Sequence, residues 1–259
     1  MGLLRRIFAP GRVVKLLTVA AILWGVTWAV LSTDNLRAAW AGETLQGKDI
    51  AVVVHGLGRS KFAMWRLAGR LEDSGFEVHR VGYKSLQDTP DEIMADISRQ
   101  IAHCCLGRSS RVHFVGHSLG GLLIRAYLTD NKPDNLGRVV LIGTPSHGTE
   151  IVDNLRHKWW FQVLGPMAAS LGTGPDSFPN SIGRPDYPLG VIAGRKTNGV
   201  PNEHMLPGED DGLVSIESTK VDGMADFIVL DVGHSAMRWD ADVAKLTAAF
   251  LKSGKFAGI

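Results

Sequence analysis

The chain has 259 residues, 45% of them hydrophobic and 21% charged, with a formal net charge of +2. That composition excludes a disordered, collagen-like or coiled-coil protein and is long enough for one large domain. The charge is uneven. Residues 1–48 hold six Lys/Arg against two acids, leaving 22 basic and 24 acidic residues beyond them, so the body carries no basic footprint for nucleic acid.

In chain order, residues 1–12 form a basic stub with Arg5, Arg6 and Arg12. Val13 to Leu31 then reads VVKLLTVAAILWGVTWAVL, 19 residues in which Lys15 is the only charge. At about 1.5 Å per residue such a helix extends about 28 Å, close to a bilayer's hydrocarbon thickness. Trp24 and Trp28 lie toward its far end, where indoles favour the membrane interface. The basic flank predicts a cytoplasmic N-terminus and an exported body: a single-pass signal-anchor with the following domain extracytoplasmic. The alternative is a secreted protein cleaved near Ala41, where Ala39-Trp40-Ala41 has the small-x-small form. Residues 32–48 read as a linker.

The remainder, 49–259, alternates strands and helices. Asp49–Val54 is a β-branched run of the kind buried on both faces of a sheet, and it ends in the turn His55-Gly56-Leu57-Gly58. Phe62, Trp65, Leu67, Ala68 and Leu71 follow at helical spacing, and Phe76–Val81 is a second strand. Thr89 and Pro90 can open a helix in which Ile93, Ile97 and Ile101 recur. Near its end Cys104 and Cys105 are adjacent, which disfavours ordinary disulfide geometry, so they read as two small half-buried residues. Arg111–Val115 is a strand, Leu119–Leu128 a helix, and Val139–Ile142, Leu189–Ala193 and Phe227–Val232 further strands; Ala241–Leu251 closes as an amphipathic helix. The fold class is therefore α/β, a mainly parallel sheet with helices on both faces.

Residues 148–188 break the rhythm, with five prolines and the aromatics Trp159, Trp160 and Phe161. The segment reads either as a packed connection completing the core or as a cap over a substrate site.

The chemistry converges on Gly116-His117-Ser118-Leu119-Gly120. With 30 glycines in the chain, G-x-S-x-G alone is a weak signal. Here, however, it follows a strand directly and opens an apolar helix, as a nucleophile elbow requires. A serine hydroxyl needs a base, and the base needs a carboxylate to fix its tautomer. Of nine histidines, His234 is best placed, just past the last strand, with His147 and His204 as rivals. The acid lies in Glu209-Asp210-Asp211-Gly212, with Asp211 preferred and Asp210 the alternative. Ser118, Asp211 and His234 follow in that order, 93 and 23 residues apart.

On VVVHGLG (52–58), FVGHSLGG (114–121), IGTPSHGT (142–149), EDDGLVS (209–215) and GHS (233–235), the chain resembles the α/β-hydrolases of lipase/esterase type over about residues 49–252. The resemblance implies an α/β-hydrolase fold and oxyanion-hole N–H groups from the backbones of Leu57 and Leu119. It also implies no metal or other cofactor, and a small-molecule ester or lipid as substrate. Caps are often inserted after the strand Val139–Ile142, which would make Trp159, Trp160 and Phe161 cap residues. The function expected is cleavage of carboxylic esters through an acyl-enzyme on Ser118. Thioesterase, amidase or acyltransferase chemistry with the same triad, or an idle hydrolase-fold binding protein at the membrane, are the alternatives.

Overall fold

Side chains that alternate between two apolar layers organise the body of the computed structural model, which describes residues 47–105, 107–196 and 204–256. The strands are β1 (Ile50–Val54), β2 (Glu77–Val81), β3 (Val112–His117), β4 (Leu136–Ile142), β5 (Leu189–Gly194) and β6 (Asp226–Leu230). They form one sheet, ordered β2-β1-β3-β4-β5-β6, in which each adjacent pair is parallel. Along β1, Ile50, Val52 and Val54 enter one apolar cluster while Ala51 and Val53 enter the other. All five are fully buried, which explains the unbroken apolar run in the sequence.

Helices cover both faces. α1 (Trp65–Asp73) places Leu67 and Leu71 in the same cluster as Val243, Leu246 and Phe250 of the closing helix. On the opposite face lie α2 (Pro90–Cys105), through Ile93, Ile97 and Ile101, and α3 (Leu119–Asp130), through Leu122 and Leu123. α2 begins with a reciprocal cap: the Thr89 backbone N–H donates to Glu92 at 2.8 Å, and the Glu92 N–H to Thr89 Oγ1 at 3.4 Å. At its other end, Cys104 and Cys105 are joined by a disulfide, which corrects the expectation of two separate thiols. The helix stops at Cys105, so no following turn holds the second side chain back.

Residues 143–188 leave the sheet between β4 and β5. They carry α4 (Glu150–Leu155), a 3-10 helix (Trp159–Leu164), α5 (Gly165–Ala169) and a single turn at Phe178–Ser181. Val152, Phe161, Met167, Ala168 and Leu171 of this excursion join the α2/α3 apolar cluster, so the segment is built into the core. The last helix, α6 (Ala241–Ser253), is capped by Asp240, whose carboxylate accepts from the N–H groups of Asp242 and Val243.

The expected membrane anchor at 13–31, its basic stub and most of the linker lie outside the described residues. Among the described residues, no helix is long and apolar enough to cross a membrane.

The strand order reverses between β1 and β3: β2 lies outside β1, while β4, β5 and β6 follow on the far side of β3. Such a switch point leaves a crevice at the carboxyl ends of the two central strands. Helix α3 closes the back of that crevice at backbone distance. A Cβ on Gly120 would sit 2.3 Å from the Val54 carbonyl oxygen, and one on Gly116 would sit 2.4 Å from the Gly121 Cα. Gly69, inside α1, has nothing within 4 Å of such an atom. Gly120→Ala should therefore destabilise the protein by at least about 2 kcal/mol through overpacking against backbone. Gly69→Ala should instead stabilise it by about 0.5–1 kcal/mol. Urea unfolding of the two variants beside wild type measures both signs.

Candidate active site

Ser118 sits where β3 ends and α3 begins, at φ 56° and ψ −127°. Among the described residues it is the only one other than glycine with positive φ. Such a conformation costs on the order of 1–3 kcal/mol and persists only where its surroundings enforce it. Here the Ser118 N–H donates to the Ile142 carbonyl at 2.9 Å, and the Gly121 N–H donates to the Ser118 carbonyl at 3.0 Å. The glycines at 116, 120 and 121 let the backbone turn this tightly, and the result lifts the Ser118 side chain out of the sheet toward the crevice.

Asp211 and His234 arrive from the ends of different elements and meet. The His234 ring donates from Nδ1 to Asp211 Oδ2 at 2.8 Å, and the His234 backbone N–H donates to the Asp211 carbonyl at 2.9 Å. Asp211 Oδ1 accepts from the N–H groups of Leu213 at 3.0 Å and Val214 at 2.8 Å. Both side chains are buried. With Nδ1 committed to the carboxylate, the lone pair of His234 is on Nε2, free to take a proton. Asp210 is placed otherwise: its Oδ1 accepts from the Gly212 N–H at 2.7 Å and shapes the turn. Between the two acids, the geometry selects Asp211 as the partner of His234. His147 is exposed, with Nδ1 3.3 Å from Asn180 Oδ1, and His204 is exposed on its loop. Among the described residues, no cluster of His, Cys, Asp or Glu could hold a metal ion.

The turn after β1 lies against Ser118: a Cβ on Gly56 would be 2.9 Å from Ser118 Cβ. Three contacts fix this turn. His55 stacks on Tyr83 with centroids 4.2 Å apart, the Tyr83 hydroxyl donates to the His55 carbonyl at 2.6 Å, and the Gly58 N–H donates to Ser85 Oγ at 2.8 Å. Leu57 follows directly, and Leu119 is the first residue of α3, where a backbone N–H has no partner within the helix.

A residue whose role the sequence did not reveal is His117. It is buried, and its Nε2–H donates to the His234 carbonyl at 2.9 Å while the two rings lie 4.9 Å apart. Burial, then the neighbouring His234, holds its pKa well below the usual histidine value, so the ring is neutral and its one N–H pins the His234 loop.

Ser118 and His234 open into one cavity of about 210 Å³. Its apolar wall includes Ile151, Val152, Phe161, Leu164 and Leu171 from the excursion, with Leu213 and Val214 from the acid loop. Of the three expected cap residues, only Phe161 is in that wall, 4% exposed; Trp159 is 84% exposed and Trp160 also faces outward. The period explains the difference. A 3-10 helix has three residues per turn, so Phe161 and Leu164 share the inner face while Trp159, Trp160 and Val163 take the outer ones.

Residues 51–174 match the palmitoyl protein thioesterase family by sequence profile, a span that includes the elbow and most of the cavity wall but stops before Asp211 and His234. No curated protein matches the chain. Among solved structures, a mature-form lipase from Bacillus licheniformis is 22% identical with a TM-score of 0.57, over 80% of this chain and 92% of that one. A phospholipase from Legionella pneumophila is 14% identical with a TM-score of 0.61, over 79% and 60%. A metagenomic carboxyl esterase is 15% identical with a TM-score of 0.55, over 74% and 66%. The chain has the α/β-hydrolase fold.

Burial likewise lowers the pKa of His55 and of His113, whose Nδ1 accepts from the Arg138 N–H at 2.9 Å. These two and His117 stay neutral in the fold and take a proton once unfolded, near pH 6.5. The unfolded chain thus binds more protons below that pH, so stability is kept above it and lost as pH falls. The expected slope is up to about 1.4 kcal/mol per pH unit for each histidine. Thermal unfolding between pH 5 and pH 8 should show this fall, and His117→Gln should make it shallower.

Proposed function

We propose that this α/β-hydrolase is a serine hydrolase that cleaves carboxylic esters with apolar, lipid-like acyl chains. The observation that carries the reading is the strained Ser118 in one cavity with His234, whose tautomer is set by the buried Asp211. Ser118 Oγ attacks the acyl carbonyl as its proton passes to His234 Nε2, and Asp211 stabilises the resulting imidazolium. The N–H groups of Leu57 and Leu119 receive the developing oxyanion, a contribution worth several kcal/mol in comparable sites. Collapse of the tetrahedral intermediate expels the alcohol with a proton from His234. Water, deprotonated by the same ring, then releases the acid and restores Ser118. The acyl chain occupies the wall of Ile151, Val152, Phe161 and Leu164. A thioester is the second reading, favoured by the thioesterase profile over residues 51–174. The hydrophobic segment 13–31 with its basic flank supports placing the catalytic domain outside the cytoplasm, tethered to the membrane.

Four outcomes test this. A fluorophosphonate probe should label wild type but not Ser118→Ala. Ser118→Ala and His234→Ala should each lower kcat on p-nitrophenyl butyrate by at least about 10³-fold, and the double variant little further. Strictly additive losses would show that the two do not share a step. Phe161→Ala should penalise laurate esters far more than acetate esters, because only the longer chain loses contacts worth about 0.8 kcal/mol per buried methylene; equal losses would remove Phe161 from the acyl site. Finally, the mature protein should keep its N-terminus and stay in the membrane pellet after a carbonate wash. A mature N-terminus at Gly42, read by mass spectrometry, would show cleavage instead.

A further inference from the structure

The cavity that holds Ser118 is lined mainly by apolar residues, with two cations among them. Arg59 directly follows the turn that carries Leu57, Arg238 lies four residues past His234, and both line the cavity. No Asp or Glu lines it, and among the described residues neither guanidinium has a carboxylate within ion-pair distance. Arg238 is only 7% exposed. Its Nε–H donates to the Ser235 carbonyl at 3.1 Å and its guanidinium lies over the Trp239 ring at 4.8 Å, and among the described residues its Nη groups make no hydrogen bond. Its Nη groups are not sealed in the protein, so an anion entering the cavity would meet an enclosed cation with no competing carboxylate. Burial first and Arg59 second pull the Arg238 pKa below its ordinary value. By contrast, Arg125, the other buried arginine in this region, spends its Nη groups on the carbonyls of Ser146, Ile182 and Gly183.

The position of the pair relative to the reaction decides what it meets. The leaving group departs on the side from which His234 hands back its proton, and Arg238 belongs to the segment that carries His234. The acyl chain takes the apolar wall of Ile151, Val152, Phe161 and Leu164, which comes from a different part of the chain.

We propose that Arg59 and Arg238 form an oxyanion-binding subsite for the leaving group, so that the preferred substrates are acyl esters or thioesters whose alcohol or thiol portion carries a phosphate or carboxylate. This rests on the serine hydrolase reading and names its substrate class. An anion there would supply the missing counter-charge through charge-assisted hydrogen bonds to planar donors already held in place. The chemistry is common to a phosphorylated lipid headgroup and to a phosphate-bearing acyl carrier.

The test uses the full chain in neutral detergent and two butyrate esters, p-nitrophenyl butyrate and its analogue with a carboxylate on the ring. The measured quantity is the ratio of kcat/KM for the anionic over the neutral ester, which does not depend on the fraction of folded enzyme. Arg59→Gln, at an exposed position, should lower that ratio by at least about tenfold, the equivalent of one charge-assisted hydrogen bond. Arg238→Lys should lower it less than Arg238→Gln, and raising the salt concentration should shrink the wild-type preference. A ratio that none of these substitutions moves overturns the subsite while leaving the hydrolase intact. Two further pairs separate the sources: lauroylglycerol phosphate against lauroylglycerol, and lauroyl-coenzyme A against lauroyl-N-acetylcysteamine. The pair with the larger charge preference identifies the leaving group, and no preference in either overturns the proposal. A binding measurement stands apart from turnover. Phenyl phosphate should bind Ser118→Ala in calorimetry at least about tenfold more tightly than it binds Ser118→Ala/Arg59→Gln. Equal binding, or none, overturns the subsite even if the esterase reading itself has failed.

Discussion

Backbone-to-backbone contact between the start of α3 and the ends of β1 and β3 is the constraint from which the rest of the site follows. Val54 O and the Gly121 Cα stand where side chains on Gly120 and Gly116 would have to be. Because the helix cannot retreat, the chain must turn within Ser118, and the positive φ follows. The same closeness brings the turn after β1 against Ser118, so the expected nucleophile and the first expected oxyanion donor are set by one packing contact. Gly143 extends the theme at the end of β4: with φ 53°, it leaves room where a Cβ would lie 3.0 Å from Asp211 Oδ2 and 3.3 Å from His234 Nδ1.

Around this frame, three buried histidines are held largely by backbone groups. His55, His113 and His117 are each buried and uncharged, and each uses ring nitrogens to satisfy backbone groups or Asp49. Asp211 is a buried carboxylate held by two backbone N–H groups and the His234 ring.

Much of this was legible in the sequence, for physical reasons. Strands buried on both faces leave unbroken apolar runs, as in the fully buried β1 and β5. The elbow announces itself because the glycines it requires sit within six consecutive residues, 116–121. Asp210 and Asp211 were harder to separate, since both occupy the same turn and only hydrogen bonding assigns one to His234 and the other to Gly212. The aromatic cluster misled through its period, because a 3-10 helix turns the middle of three consecutive aromatics away from the core while burying the last. Pairs such as Arg59 and Arg238, 179 residues apart, leave no local pattern at all.

The 3-10 helix at Trp159–Leu164 has a consequence of its own. Phe161 and Leu164 wall the cavity from inside, and Trp159, Trp160 and Val163 cover the same turn from outside, so one helix serves both the cavity and the surface. It is also one of the less rigid kinds of helix, with strained hydrogen bonds, and it ends at Gly165 with φ 81°. If the chamber holds an acyl chain as proposed, the side chains that this one turn sends inward, Phe161 and Leu164, set where that chain has to stop.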